Sequence, residues 1–130
     1  MKELQPTESE LEILQVLWQQ KEASVRQVHE VMASKREIGY TTTLKLMQIM
    51  TEKKLLKRDT SQRVHIYQPI IGQSSVEHSL MQKIKKNLFR GSTSRLVIGA
   101  LSSDPISKSE LQEIREYLNK YEASNNSTKK

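Results

Sequence analysis

The sequence predicts a mainly α-helical chain: three helices and a β-hairpin wing form a winged helix-turn-helix, and a helical dimerisation region follows. Two observations predict the first part: capping signatures precede apolar residues at helical spacing, and the apolar period then changes to two. The return to steps of about four after the hairpin predicts the second part. We therefore expect a winged helix-turn-helix domain over residues 1–69, a dimerisation region over 70–121 and a disordered tail over 122–130.

Capping boxes mark the starts of the first two helices. Thr7 stands three residues before Glu10, and Ser24 stands three before Gln27, so each hydroxyl can accept a backbone N–H while the later side chain reaches back. The first helix is expected to end near residue 20 and the second near residue 35. Their apolar residues recur at helical spacing and are Leu11, Leu14, Leu17 and Trp18 in the first, and Val25, Val28, Val31 and Met32 in the second.

A third helix and a hairpin complete the winged helix-turn-helix. The helix is expected to open at Tyr40 or Thr41, after a polar turn that ends in Gly39, and to run to about Lys54. Residues 55–59 and 64–69 then form two short runs with aromatic or β-branched side chains, separated by the polar stretch 60–63. Neither a helix pair nor a hairpin would bury enough apolar area alone, so the two parts are expected to fold together.

The remainder of the chain is expected to be helical and to self-associate. Gly91 can end a fourth helix in the left-handed conformation, a fifth spans about residues 93–101, and Ser107 with Glu110 forms a third capping box. Many apolar positions without strands favour a core shared with a second copy, and a monomeric three-helix mini-bundle is the alternative. The expected dimerisation residues are Val76, Leu80, Ile84, Leu88, Leu96, Val97, Leu101, Leu111, Ile114 and Leu118.

Composition excludes several classes of protein. The 130 residues contain no cysteine, which excludes disulfides, thiolate metal sites and cysteine nucleophiles and fits a reducing cytoplasm. No apolar run is near the roughly 20 residues that a membrane span needs, so we expect a cytoplasmic protein without membrane insertion. The single, scattered histidines, His29, His65 and His78, do not suggest a metal site. No phosphate loop, serine nucleophile elbow or carboxylate pair is visible, so neither a cofactor nor an enzyme activity is expected.

Positive charge is concentrated where the third helix begins. The whole chain carries +6, but residues 1–39 carry −2 and residues 40–69 carry +4. A helical wheel places Thr43, Leu46, Met47 and Met50 on a core arc of the third helix and Thr41, Lys45, Gln48 and Glu52 opposite. Such polar side chains can reach base edges in the major groove, so Thr41, Thr42, Lys45 and Gln48 are candidate recognition residues. An ordinary solvated helix face is the alternative.

Basic residues elsewhere carry less information. Lys57, Arg58 and Arg63 of the hairpin are candidate phosphate contacts beside the third helix. Five more cations lie between residues 83 and 95, where a solvated face is favoured over phosphate contacts; they are Lys83, Lys85, Lys86, Arg90 and Arg95. A winged-helix module that binds an acidic protein, without sequence-specific DNA, is the second hypothesis for function.

Five segments carry a family resemblance, namely 6–14 (PTESELEIL), 16–18 (VLW), 24–28 (SVRQV), 40–44 (YTTTL) and 52–58 (EKKLLKR). In this order they resemble the penicillinase-repressor family of bacterial transcription regulators (BlaI/MecI/CopY type), closely over residues 4–69 and loosely over the helical tail. The resemblance implies a winged helix that binds double-stranded operator DNA as a homodimer, on the nucleoid, and represses genes next to its own.

Three departures from the family pattern have consequences. Copper-responsive members carry a cysteine cluster that is absent here, so copper sensing is not expected. Members controlled by a membrane-bound sensor protease are cut at an Asn-Phe bond, whereas the corresponding stretch here is 96–101 (LVIGAL), which places a cleavage region, if it is used, near Gly99 and Ala100. The usual glycine after the recognition helix is Lys54 here, which is expected to alter that turn but not the fold.

Overall fold

Six helices and one hairpin make up the computed structural model, which describes residues 5–128 of the chain and side chains up to residue 125. By contacts the chain divides into two units between Lys83 and Ile84, within the fourth helix. The elements are α1 (Glu8–Gln20), α2 (Val25–Lys35), α3 (Tyr40–Glu52), β1 (Leu56–Asp59), β2 (Ile66–Pro69), α4 (Gln73–Leu88), α5 (Thr93–Ser103) and α6 (Lys108–Thr128). The predicted winged-helix element order is confirmed.

The capping boxes predicted for the first two helices are both present. The Thr7 hydroxyl accepts the Glu10 N–H at 3.2 Å, and the Glu10 carboxylate accepts the Thr7 N–H at 2.9 Å. Ser24 and Gln27 make the same pair of bonds, at 3.2 and 2.9 Å. Because these bonds satisfy N–H groups that no helical carbonyl can reach, they fix where each helix begins.

One apolar core joins the three N-terminal helices to the hairpin. Its fully buried members include Leu17 of α1, Val28 of α2, Met47 of α3 and Leu56 of β1. Trp18 packs against this cluster and donates its indole N–H to the carbonyl of Ile71 at 2.9 Å. The chain that leaves the hairpin is therefore tied back to α1.

The hairpin is held to the helices through its second strand. β1 and β2 pair antiparallel, with Leu56 opposite Pro69 and Asp59 opposite Ile66. Tyr67 of β2 also exchanges two backbone hydrogen bonds with Ala23, at 2.8 and 3.0 Å, just before α2. The Tyr67 side chain is 2% exposed, so the strand is anchored by both backbone and side chain.

The turn after α3 takes the form that a glycine would favour. Lys54 has a φ of +68°, in the left-handed region. The N–H of Lys54 donates to the carbonyl of Thr51 at 3.1 Å, and that of Leu55 donates to Met50 at 2.9 Å. These two bonds are those of a Schellman motif, so the lysine preserves the turn and β1 follows in its expected place.

The helices after the hairpin begin and end largely at the predicted signals. Gly91 has a φ of +79° and donates its N–H to the Lys85 carbonyl at 2.9 Å, which closes the end of α4. The Ser107 hydroxyl accepts the Glu110 N–H at 3.0 Å at the start of α6. In the part of the chain that the structure describes, no helix is both long and apolar enough to cross a membrane.

The expected disordered tail differs from the structure. Residues 122–128 continue α6 as far as Thr128, whereas residues 129–130 lie outside the described residues. No glycine or proline interrupts this polar segment, and extending an existing helix adds one hydrogen bond for each residue fixed. The polar composition predicted disorder because the segment has no large apolar side chain to bury. The preceding part of α6 removes the cost of helix nucleation, so the segment can extend that helix. α5 likewise ends at Ser103, two residues later than expected.

Candidate DNA-binding surface

The third helix presents the polar face that its helical wheel predicts. Thr43, Met47 and Met50 are fully buried, and Leu46 is partly buried against the core. The exposed residues include all four candidate recognition residues, which are Thr41, Thr42, Lys45 and Gln48. The core arc is therefore confirmed, and the polar arc is free to meet a partner; its contact with DNA remains a prediction.

The start of α3 is fixed by a histidine that sequence reasoning left without a role. His29 Nδ1 of α2 lies 3.1 Å from the Thr43 hydroxyl, which is also 3.5 Å from the carbonyl of Gly39. The His29 ring meets the Tyr40 ring edge-on, with centroids 5.5 Å apart. Because these contacts join two helices, no spacing within one helix could have revealed them.

The end of α3 is fixed by a charged pair. The Glu10 side chain is 3% exposed, and its two carboxylate oxygens accept from Lys53 Nζ at 2.8 and 3.0 Å. The same carboxylate accepts the Thr7 N–H, so three donor contacts satisfy it. Lys53 follows the last residue of α3, and the pair therefore ties the end of this helix to the start of α1. Sequence reasoning identified Glu10 as a cap and missed its partner.

The structure separates the three hairpin cations. Arg63 shares a groove with Tyr40 and Leu44, so it lies beside α3. Lys57 and Arg58 line a different concavity. All three cations are exposed. Of the three, Arg63 alone shares a groove with residues of α3.

Carboxylates accompany Lys57 and Arg58 in their concavity. Glu22 and Asp59 both line it, and Glu22 accepts a hydrogen bond from Gln68 at 2.8 Å. The Ser61 N–H donates to the Asp59 carboxylate at 2.9 Å and, with Lys57 and His65 nearby, lowers the pKa of Asp59. This carboxyl is therefore charged at neutral pH, and the concavity carries mixed charge.

The expected dimerisation residues differ in exposure within a single chain. Val76 is 2% exposed and so is already covered, and Leu80, Leu96 and Ile114 are partly buried. The exposed members are Ile84, Leu88, Val97, Leu101, Leu111 and Leu118.

Three of these residues meet in the second unit. Val97, Ile114 and Leu118 line a mostly apolar concavity of about 570 Å³ together with Tyr117 and Tyr121, whose rings stack at 6.3 Å. Tyr117 was missed because it lies off the apolar spacing used for α6. Gly99 and Ala100, the candidate cleavage region, lie inside α5. Among the described residues, no cluster of three potential metal ligands occurs.

Comparison with known proteins decides which family these features belong to. The family model described as penicillinase repressor matches residues 6–120, which include the winged helix and most of the later helices. The chain belongs to the penicillinase repressor family. This family consists of transcriptional regulators, which are not enzymes.

Individual relatives of this penicillinase repressor family member are distant. The methicillin resistance regulatory protein MecI of Mammaliicoccus sciuri is 21% identical over 112 residues, which are 86% of this chain and 91% of that protein. MecI of Staphylococcus aureus strain N315 is 20% identical over 112 residues, which again are 86% of this chain and 91% of that protein. The transcriptional regulator BlaI of Mycobacterium tuberculosis (strain CDC 1551 / Oshkosh) is 33% identical over 70 residues, 53% of this chain and 51% of that protein.

Proposed function

We propose that this chain is a repressor that binds a palindromic operator in double-stranded DNA as a homodimer, acting on the nucleoid in the cytoplasm. The single observation that carries the proposal is the exposed polar face of α3, held at its start by His29 and at its end by the ion pair of Glu10 and Lys53. A helix fixed at both ends can keep its side chains in register with base edges. In this proposal residues 1–69 bind DNA and residues 70–121 form the dimer.

The side chains divide between reading bases and holding the backbone. Thr41, Thr42, Lys45 and Gln48 are suited to the major groove, because hydroxyl, ammonium and amide groups match the donors and acceptors of base edges. Lys57, Arg58 and Arg63 of the wing bind phosphates, which carry no sequence information but set orientation. Bound dimer then blocks RNA polymerase.

Dimerisation is supported by apolar surface that a single chain leaves uncovered. Leu88 is 71% exposed, Leu118 is 53% exposed and Val97 is 45% exposed. Exposed apolar side chains in such number mark a surface that another protein covers. A second copy is the partner proposed, since two-fold symmetric proteins read palindromic half-sites about one helical turn or multiples apart.

Release from the operator is proposed to follow loss of the dimer, after cleavage by a membrane-bound sensor protease. The candidate region, Gly99 and Ala100, is helical, and a protease needs extended backbone, so α5 must open before it is cut. Glycine inside a helix costs about 0.5–1 kcal/mol relative to alanine, which makes this the point where α5 opens most easily.

The proposal is tested by binding the purified protein to DNA from upstream of its own gene and to a scrambled sequence, at two salt concentrations, with the stoichiometry recorded. We expect two chains on the upstream DNA and a clear preference over the scrambled DNA. Lys45→Ala is expected to lower operator affinity by about tenfold, which corresponds to loss of about 1.4 kcal/mol, within the range of about 1–3 kcal/mol for one base contact.

The matched control is Lys35→Ala, which removes an exposed lysine from the last turn of α2. It is expected to leave the preference for upstream DNA unchanged. Equal binding of wild type to both DNAs, or no binding to either, would overturn the repressor proposal in favour of a module that binds an acidic protein. Equal effects of Lys35→Ala and Lys45→Ala would show that α3 is not the recognition surface.

A further inference from the structure

A groove lies between the start of α2, the start of α3 and the hairpin. Its volume is about 380 Å³, and its lining includes Arg26, Tyr40, Leu44, Arg63, Val64 and His65. We call it the α2–wing groove. Three separate elements build it, all within the first unit, so its walls are fixed by the core beneath them.

The α2–wing groove is lined by basic groups without carboxylates. Arg26, Arg63 and His65 contribute to its lining, and no aspartate or glutamate does. Neither the Arg26 side chain nor the Arg63 side chain has a hydrogen bond or ion pair with any part of the chain that the structure describes. The other concavity of the hairpin differs, because Glu22 and Asp59 line it beside its cations. The groove beside α3 is therefore better suited to an anion than the other concavity of the hairpin.

Arg26 occupies a position that is unfavourable for folding. It is the second residue of α2, whose first turn contains no acidic residue. A cation at the positive end of a helix dipole costs about 0.3–1 kcal/mol at the surface. Within the fold nothing offsets this cost through an ion pair, so the placement is better explained by an anion that comes from outside the chain.

The apolar lining identifies the kind of anion. Leu44 and Val64 border the groove beside the cations, and Tyr40 adds an aromatic ring with a hydroxyl group. A free inorganic anion has no apolar surface, so contact with apolar side chains would not stabilise its binding. A DNA backbone has both parts, since anionic phosphates alternate with deoxyribose rings that expose C–H groups.

We propose that the α2–wing groove holds one sugar-phosphate segment of the operator backbone in each half-site. Arg26 and Arg63 pair with the phosphate, and Leu44 and Val64 contact the adjoining deoxyribose. The inference rests on the proposed function and adds Arg26, Leu44 and Val64 to its contact surface. Since the groove includes the first turn of α3, a phosphate seated there sets how deeply and in which register that helix enters the major groove.

The test compares Arg26→Ala with Lys35→Ala in the full-length protein. These cations lie at opposite ends of α2, about 13 Å apart at 1.5 Å per residue. Affinity for upstream and scrambled DNA is measured over a series of salt concentrations. Arg26→Ala is expected to reduce the slope of log affinity against log salt by up to about 0.9 per half-site, the value for one whole phosphate contact, since Arg63 remains beside the same phosphate.

Two further measurements separate this contact from other effects. The affinity ratio between upstream and scrambled DNA is expected to stay unchanged, because phosphates carry no sequence information. The melting temperature of Arg26→Ala should equal or slightly exceed that of wild type, because the substitution removes an unfavourable charge. Arg26→Lys is expected to restore the salt slope.

A methylphosphonate placed singly along the operator identifies the phosphate itself. At one position in each half-site it should weaken wild type more than Arg26→Ala, because only Arg63 is left to pair with that phosphate in the variant. If wild type prefers the upstream DNA while Arg26→Ala keeps the wild-type salt slope, the groove assignment is overturned and the repressor proposal stands. If Arg26→Ala reduces the salt slope but wild type binds upstream and scrambled DNA equally well, the repressor proposal is overturned. The phosphate contact in the groove then stands as a nonspecific contact with DNA.

Discussion

Lys54 shows how one residue can keep a turn at a cost. Its φ of +68° places a side chain with a Cβ in the left-handed region, which costs L residues about 1–2 kcal/mol. Glycine avoids that penalty but loses more freedom on folding, by about 0.4–1 kcal/mol. Lys54→Gly is therefore expected to raise the free energy of unfolding by about 0.5–1 kcal/mol in urea denaturation. Lys54→Ala removes the charge and keeps the Cβ, so it should not raise the free energy of unfolding. An increase equal to that of Lys54→Gly would show that loss of the lysine charge, and not relief of backbone strain, causes the effect.

Sequence reasoning succeeds for residues whose role depends on neighbours in the same helix. The exposed face of α3, with Lys45 and Gln48, follows from a period of 3.6 and needs no tertiary information. Arg26 and His29 were passed over because their roles depend on other elements, the hairpin for Arg26 and Thr43 for His29. An arginine at the positive end of α2 was the one sequence signal that could have drawn attention.

At the scale of elements, two glycines of the second unit predict opposite effects of the same substitution. Gly91 ends α4 with a φ of +79°, and a Cβ there would meet open space, so Gly91→Ala costs only backbone strain. Gly99 lies inside α5, where a Cβ would be in ordinary contact with the Phe89 ring at 3.4 Å. We expect Gly91→Ala to lower the free energy of unfolding by about 1 kcal/mol and Gly99→Ala to raise it by about 0.5–1 kcal/mol. Thermal unfolding followed by circular dichroism measures both changes. A stabilising Gly91→Ala would contradict the left-handed turn at Gly91, and a destabilising Gly99→Ala would contradict the ordinary contact with Phe89.

The element boundaries show where local signals suffice. α1 and α2 begin and end where their capping boxes and apolar patterns predict, because the deciding hydrogen bonds join residues three apart. The end of α6 was set too early, since a polar segment without a breaker offers no local stop signal. The bridge between Ala23 and Tyr67, which anchors the hairpin, pairs residues 44 positions apart and has no signature in either segment.

At the scale of the whole molecule, charge is distributed according to the proposed roles. Residues 1–39 carry −2, although Arg26 at the start of α2 lies beside the hairpin, and residues 40–69 carry +4. Because two of the three acidic residues of α1 are in ion pairs, Glu10 with Lys53 and Glu12 with Arg36, their repulsion toward a polyanion is reduced. Net charge alone predicts nonspecific affinity; the preference for an operator depends on α3 and on a second copy.

Dimer formation is testable through Leu118, which is 53% exposed and lines the apolar concavity of the second unit. Leu118→Glu is expected to cost a single chain little, because surface substitutions usually change stability by about 0.5 kcal/mol or less. It should nevertheless place a charge in an interface that excludes water, so analytical ultracentrifugation should show monomers. Operator affinity should then fall on the order of 100-fold or more, since a monomer loses the avidity of the second half-site.

Asn119→Glu is the matched control, because it adds the same charge at the next position of α6, which is also exposed. One residue along a helix turns the side chain by about 100°, so this charge points away from the direction of Leu118. The control should remain dimeric and keep wild-type affinity. A dimeric Leu118→Glu variant would exclude this face from the interface, and a monomeric variant with full operator affinity would mean that one chain suffices for recognition.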